Sequence, residues 1–219
     1  MKALPALAGV LLLACVSAAH ARFFIPKDTL LVFGMYERDS YAAEASYGLR
    51  RDWSVTAGWQ RDRADDGDTV REYTYVRANW LLHRRGEGGW IRNLYLFGGP
   101  AWVRSNALDH GDEPGLQLGI WGDYETRRVY LKASLQTFWN EEFSQTTQTL
   151  QALWAPYAAE YGGIASWIGV QLQRRNGLSD ATQVAPMLRF FQRRWWIDIG
   201  VGVNSEHRGS VFFDAMYLF

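Results

Sequence analysis

Charged and amide side chains recur in this sequence on alternate positions of otherwise apolar segments. Glu44, Arg50, Arg71, Arg77, Asp123, Glu125, Lys132, Arg189, Asp198 and Asp214 all share the polar parity of such segments. Gln136, Gln151, Gln171 and Tyr130 fall there too. Gathering both signs of charge in one interior requires that they be paired or hydrated. Two kinds of chemistry then stand open. One is a salt-bridged network that stiffens the fold. The other is a narrow water path, with opposed acids and bases setting a transverse field for small polar solutes. A one-signed set would argue for ion selectivity, and this set is mixed.

Other chemistry is thinly represented. Asp65, Asp66 and Asp68 cluster three carboxylates around Gly67, a weak candidate for a divalent cation. The spacing and terminal Glu of a full calcium loop are missing, so a solvated acidic turn is the plainer reading. Nucleophilic catalysis needs a nucleophile, a base and an orienting group close together. Beyond residue 21 the histidines are His83, His110 and His207, each at the end of a segment or in a turn. The expectation is a protein that is not an enzyme and needs no cofactor. Lysine plus arginine and aspartate plus glutamate both number 23, so composition gives no pull toward nucleic acid.

The elements that must position these residues are strands. Residues 1–21 read as a signal peptide: Met1 and Lys2, an apolar stretch from Ala6 to Val16, then Ala19-His20-Ala21 before Arg22. A rival reading makes Cys15, after Leu12-Leu13-Ala14, a lipidation site. With ordinary cleavage the mature chain has no cysteine, hence no disulfide framework. The remaining 22–219 reads as one domain, with no run of about eighteen apolar residues that would cross a membrane as a helix. Strands are expected near 30–38, 42–50, 53–62, 70–82, 92–104 and 114–125. Six more are expected near 128–140, 145–155, 164–174, 182–192, 195–204 and 209–219. Their breaks carry turn chemistry, such as Asp65-Asp66-Gly67-Asp68 and Asn176-Gly177.

Alternation inside the segments is clean. Trp53, Val55, Ala57 and Trp59 oppose Ser54, Thr56, Gly58 and Gln60. Trp195, Ile197, Ile199, Val201 and Val203 oppose Trp196, Asp198, Gly200, Gly202 and Asn204. A soluble sandwich would alternate too, with its polar face outside. Segments near ten residues fit a tilted membrane-spanning strand better than a soluble one. Trp53, Trp80, Trp102, Trp139, Trp154, Trp195 and Tyr217 recur near segment ends, where an interfacial girdle would place them. The fold expected is therefore all-β: a closed antiparallel transmembrane β-barrel of 12 strands, or 10 as second choice, with short loops.

The last segment carries a resemblance. Val211, Phe213, Tyr217 and Phe219, with the smaller Ala215 between them, resemble the aromatic assembly signal of Gram-negative outer-membrane β-barrel proteins. That likeness implies an outer-membrane location, contact with membrane lipids and lipopolysaccharide, and recognition by the barrel-assembly machinery. It also implies both chain ends on the periplasmic side, with turns there at 51–52, 83–91, 126–127, 156–163 and 193–194. The lumen would be lined by Glu44, Arg50, Arg77, Asp123, Lys132, Gln136, Arg189, Asp198 and Asp214, with residues 23–27 as a possible filler. Outer-membrane hydrolases of similar size place a His and a Ser two apart on a strand. Here Asp112 follows His110 at that offset, Gly209 follows His207, and Ser205 stands in reverse order before His207. Three function classes follow. The first is a narrow pore for small polar solutes or an accessory barrel of an envelope or export system. The second is a structural or partner-binding barrel with a filled lumen, and the third a lipid-modifying hydrolase.

Overall fold

Each alternating segment can bury only one face, and short turns force sequence neighbours to pair edge to edge. The computed structural model describes residues 25–108, 112–160, 162–179 and 181–219. The signal-peptide and Cys15 readings, Phe23 and His110 lie outside the described residues. The strands are β1 (Leu30–Glu37), β2 (Ser40–Gly48), β3 (Trp53–Arg63), β4 (Val70–Glu87), β5 (Trp90–Ser105) and β6 (Asp112–Thr126). They continue as β7 (Val129–Trp139), β8 (Ser144–Trp154), β9 (Ala165–Asn176), β10 (Thr182–Gln192), β11 (Trp195–Val201) and β12 (Val211–Leu218). Every strand pairs antiparallel with its sequence neighbours. β1 and β12 close the ring from Leu31↔Leu218 to Glu37↔Phe212. The described chain is a closed all-β barrel of 12 strands, as the alternation requires.

One turn differs from expectation. β4 and β5 run on to Glu87 and Trp90, so His83, Arg84 and Arg85 are strand residues paired with Leu94, Asn93 and Arg92. Only Gly88 and Gly89 turn, with φ of 57° and 100°. Two consecutive left-handed residues make the tight hairpin whose twist matches the flanking strands. The basic, glycine-rich run looks like a loop in sequence because its apolar alternation is weak. β3 stops pairing at Trp53↔Trp80 while β4 continues past it, an offset that belongs to the stagger of tilted strands.

The two faces of the wall divide sharply. Ser54, Thr56, Gln60 and Asp62 are buried inward, whereas Trp53, Val55 and Trp59 of the same strand stand exposed outward. Charged side chains that face outward stand near strand ends. Arg61, Arg63, Glu72 and Arg104 lie toward one rim, Arg85 and Arg92 toward the other. Between them runs a belt of exposed Leu, Ile, Val and aromatic groups, including the stacked Trp53 and Trp80 rings 5.5 Å apart. Inside, three aromatics each sit over the glycine directly opposite on the next strand: Tyr75 over Gly58, Phe97 over Gly119 and Phe212 over Gly200. A Cβ on those glycines would come within 2.5, 2.2 and 2.2 Å of the rings, so no larger residue fits unless the ring moves.

This division yields a paired expectation. Trp59→Arg places a cation on the apolar belt and should cost roughly 2–4 kcal/mol if the strand lies at mid-bilayer. Gln60→Arg, whose side chain would point at Asp62, should fold normally. Heat-modifiability on gels after refolding into lipid separates them, and the reverse ranking would mean a one-residue error in register.

Candidate functional site

Inward side chains fill the lumen unevenly. The near rim is the one where β1 begins, and the far rim the one where it ends. At the far rim, β3, β4, β7 and β8 send a packed layer across the barrel. Asp62, wholly buried, accepts hydrogen bonds from Ser40 Oγ at 2.5 Å, from Gln60 Nε2 at 2.7 Å and from Gln145 Nε2 of β8. Gln145 Oε1 accepts from Tyr73 Oη at 2.6 Å, and the Tyr73 ring stacks on Phe138 at 4.0 Å. Arg71 covers the layer, donating to the Gly177 carbonyl at 2.7 Å while its guanidinium lies 4.1 Å from the Phe143 ring centre. Because β3 and β8 are not neighbours in the sheet, these contacts brace the interior and not just the wall.

Toward the near rim, the half formed by β7 to β12 is closed by other means. Arg189 of β10 grips Asp198 of β11 with two prongs, Nε to Oδ1 and Nη2 to Oδ2, both 2.7 Å. Its Nη2 also donates to Gln151 Oε1 at 3.0 Å, and the guanidinium lies over Trp196 at 4.1 Å and Tyr130 at 4.5 Å. Leu153, Trp167, Met187 and Phe212 pack around this centre. A bidentate, fully desolvated pair of this kind holds its geometry tightly.

Between the two packed halves runs a cavity of about 210 Å³. Ile25, Arg51 and Asp52 stand at its near-rim mouth; Glu44, Arg77, Lys132, Gln136 and Asp214 line its course; Glu37 and Arg175 stand at its far end. There Arg175 Nη2 of β9 bonds Glu37 Oε2 of β1 across the lumen, with side chains only 13% and 10% exposed. Beyond the pair a second cavity of about 40 Å³ continues past Arg38, Arg63, Leu178 and His207. Glu37, Gln173 and Arg175 belong to the walls of both.

Charge in the main cavity is balanced and sorted. Its wall holds four acids (Glu37, Glu44, Asp52, Asp214) and four bases (Arg51, Arg77, Lys132, Arg175). Glu37, Glu44 and Asp214 stand on β1, β2 and β12, three strands that neighbour one another. Arg77, Lys132 and Arg175 stand on β4, β7 and β9. Glu44 is held by Arg77 Nη2 at 2.8 Å and Tyr75 Oη at 2.6 Å. Neutral groups complete the wall, among them Ser134, Gln136, Thr147, Thr149, Gln151 and Gln171. Such a lining can hydrate and orient a small polar molecule.

Most of the residues expected inside are inside, in three different settings. Glu44, Arg77, Lys132, Gln136 and Asp214 line the cavity. Arg189 and Asp198 point inward but are sealed in the packed half, away from the cavity wall. Asp123 accepts from Asn93 Nδ2 at 2.7 Å and Trp121 Nε1 at 3.2 Å on the inner face of β6, outside the main cavity wall. Arg50 is a correction: β2 ends at Gly48, and Arg50 lies exposed in the turn, its amide donating to the Trp53 carbonyl at 3.1 Å. Parity does not survive the end of a strand. Ile25 reaches the cavity mouth, and its chain passes so close to Gly48 that a Cβ there would lie 2.0 Å from the Pro26 carbonyl. Glu37 and Arg175 escaped the reading because both sit at strand ends. Extending the parity of Leu31, Phe33 and Met35 by one step finds Glu37.

The remaining candidates divide as follows. Asp66 spends both carboxylate oxygens on its own loop. It accepts from the Thr69 hydroxyl at 2.6 Å and from the amides of Thr69 and Asp68 at 2.8 and 2.9 Å. The Thr69 hydroxyl above all holds the Asp66 carboxyl below the usual carboxylate range. Asp65, Asp66 and Asp68 do not converge, and no cluster of metal-ligating groups occurs among the described residues. His83 is exposed on β4, and Nε2 of His207 is buried without a hydrogen-bond partner. Val211, Phe213 and Tyr217 face outward on β12, and the Tyr217 and Phe219 rings meet edge to face at 4.7 Å.

No protein-family model matches the chain, and no curated protein sequence does. Among solved structures the chain is similar to the KdgM porin in complex with disordered oligogalacturonate, at TM-score 0.48 and 9% identity over 87% of this chain and 98% of that one. It is likewise similar to the KdgM porin at TM-score 0.48 and 8% identity, over 87% and 98% of the chains. The N-terminal β-barrel domain of Pseudomonas aeruginosa OprF gives 0.38 and 11%, over 88% of this chain and 98% of that one.

The Arg189–Asp198 pair supports a stability test. Arg189→Gln strands a buried carboxylate and should cost about 3–5 kcal/mol, whereas Arg189→Met with Asp198→Leu removes both charges and should cost much less. Urea unfolding in detergent micelles reads both. Equal losses would mean that packing volume, and not the unpaired charge, sets the effect.

Proposed function

We propose that this chain is an outer-membrane barrel that conducts small polar solutes through its lumen. The observation that carries the reading is the charge-balanced cavity between the packed halves, with a second cavity beyond the Glu37–Arg175 pair. A barrel built only for stiffness would fill that path with apolar side chains. This one leaves the path open and sets amides, hydroxyls and charged groups among aliphatic and aromatic side chains such as Leu31, Phe33, Met35 and Phe97. The outward belt of large apolar groups supports the membrane assignment, since soluble monomers rarely expose contiguous apolar patches beyond a few hundred Å². Lipid acyl chains are its natural contact, and the basic groups near both rims suit phosphate-bearing headgroups or lipopolysaccharide. The outward row Val211, Phe213, Tyr217 and Phe219 suits recognition by the barrel-assembly machinery.

A filled structural or partner-binding barrel is the second reading, favoured by the cross-lumen layer of Asp62, Gln145 and Tyr73. Hydrolysis finds no support among the described residues: Nε2 of His207 has no hydrogen-bond partner, and Ser210 Oγ donates to the His207 backbone carbonyl at 2.6 Å, not to the ring.

Purified protein in planar bilayers decides between pore and filled barrel. The expectation is small unitary steps with a reversal potential near zero in asymmetric potassium chloride, because acids and bases balance along the wall. Lys132→Gln leaves four acids against three bases in the cavity and should shift the reversal potential toward cations. Silence in both proteins would favour the filled barrel.

A further inference from the structure

The two cavities meet at one contact, and its chemistry restricts what can cross. Glu37 ends β1 and Arg175 stands near the end of β9, four strands away around the ring, so their bond spans the lumen instead of stitching neighbours. Both side chains are largely buried, and both belong to the walls of the two cavities. The far-rim layer of Asp62, Gln145, Tyr73 and Phe138 occupies the other half of the same rim.

We propose that the Glu37–Arg175 pair is a selectivity bar, and that the solutes it admits are small zwitterions such as free amino acids. The proposal rests on the pore reading above. Swinging the two side chains apart leaves a carboxylate and a guanidinium facing each other in a narrow, poorly hydrated passage, which is costly unless each finds a new partner. A neutral polyol offers only uncharged hydrogen bonds to both. An anion satisfies Arg175 and is repelled by Glu37; a cation does the reverse. A zwitterion carries both replacements at once: its carboxylate takes Arg175 and its ammonium takes Glu37, each through charge-assisted hydrogen bonds.

The approach to the bar is arranged in the same sense. Glu44 and Asp214 stand with Glu37 on the β12–β1–β2 side, and Arg77 and Lys132 stand with Arg175 on the other strands. A zwitterion lying across the lumen therefore keeps one orientation from the cavity to the bar. The equal count of acids and bases removes any net potential that would enrich one ion sign over the other.

Proteoliposomes test this with three probes of similar size: L-threonine, erythritol and lactate. The wild-type protein should admit threonine several-fold faster than erythritol or lactate. Glu37→Gln with Arg175→Gln should bring the threonine and erythritol rates together by raising the erythritol rate, and should enlarge the unitary conductance. The exchanged pair, Glu37→Arg with Arg175→Glu, rebuilds the bar with its polarity reversed against Glu44 and Asp214, and should restore part of the preference for threonine over erythritol. It also separates loss of the bar from a folding defect, with heat-modifiability checked for each protein. Equal rates for all three probes through the wild type would overturn the proposal and leave the pore intact. So would a threonine preference that survives in the neutral double variant. No flux of any probe through any of the proteins would overturn the pore reading and the bar together.

Discussion

Everything inside this barrel depends on the pairing of β1 with β12. That seam turns a twelve-stranded sheet into a ring, gives every strand two neighbours, and fixes the circumference at which inward side chains must meet. Eight strands leave an interior that side chains can fill, and sixteen or more leave an open channel. Twelve leave a space that side chains can cross only at chosen places. Side chains reach across it at the far rim, in a hydrogen-bonded aromatic layer and in the Glu37–Arg175 pair. Toward the near rim the β7 to β12 half is filled by Arg189 and Asp198, opposed on neighbouring strands and wrapped in apolar groups. What remains between these fillings is the cavity.

The ion pairs inside the barrel sit in different surroundings. The Arg189–Asp198 centre is desolvated, bidentate and covered by Trp196 and Tyr130, so its charges have no access to a solute. Glu44 with Arg77 and Glu37 with Arg175 are also paired, but they front the cavity and can exchange partners. One residue chemistry is thus sealed in one half of the lumen and fronts open space in the other. The difference is made by the neighbours. Tryptophan, tyrosine and leucine close the space around Arg189 and Asp198. Arg77, although it too lies over an aromatic ring (Phe97, 4.7 Å), and Arg175 border open space beside glutamine, serine and threonine.

The fold was largely legible in the sequence because a barrel wall writes its two faces directly into alternate residues. Strand parity put Glu44, Arg77, Lys132, Gln136 and Asp214 on inward faces, and these five border the cavity; turn chemistry marked nearly every break. Parity fails beyond the end of a strand, and that accounts for the misplaced Arg50; Glu37 and Arg175 keep the inward parity of β1 and β9 and were overlooked because they stand at strand ends. It fails again where apolar alternation weakens, as along His83 to Glu87, whose strand is held by pairing with Trp90 to Leu94 and by the Gly88–Gly89 turn. Which inward charges would be sealed and which would face open space was not readable at all. That depends on which strands meet across the lumen, a property of the closed ring and not of any single segment.

The Glu37–Arg175 contact joins residues 138 positions apart, and the Asp62–Gln145 contact joins residues 83 apart. In a half-formed, open sheet these side chains stand on separated strands and keep their own water. They meet only after the ring has closed, when the ordering cost of bringing distant segments together has already been met by the backbone ladder. The interior contacts therefore come late in folding and hold a product that already exists. They report that assembly is complete, and they brace against reopening, because parting β1 from β12 would return a carboxylate and its guanidinium to solitude at the same moment as it frees two strand edges.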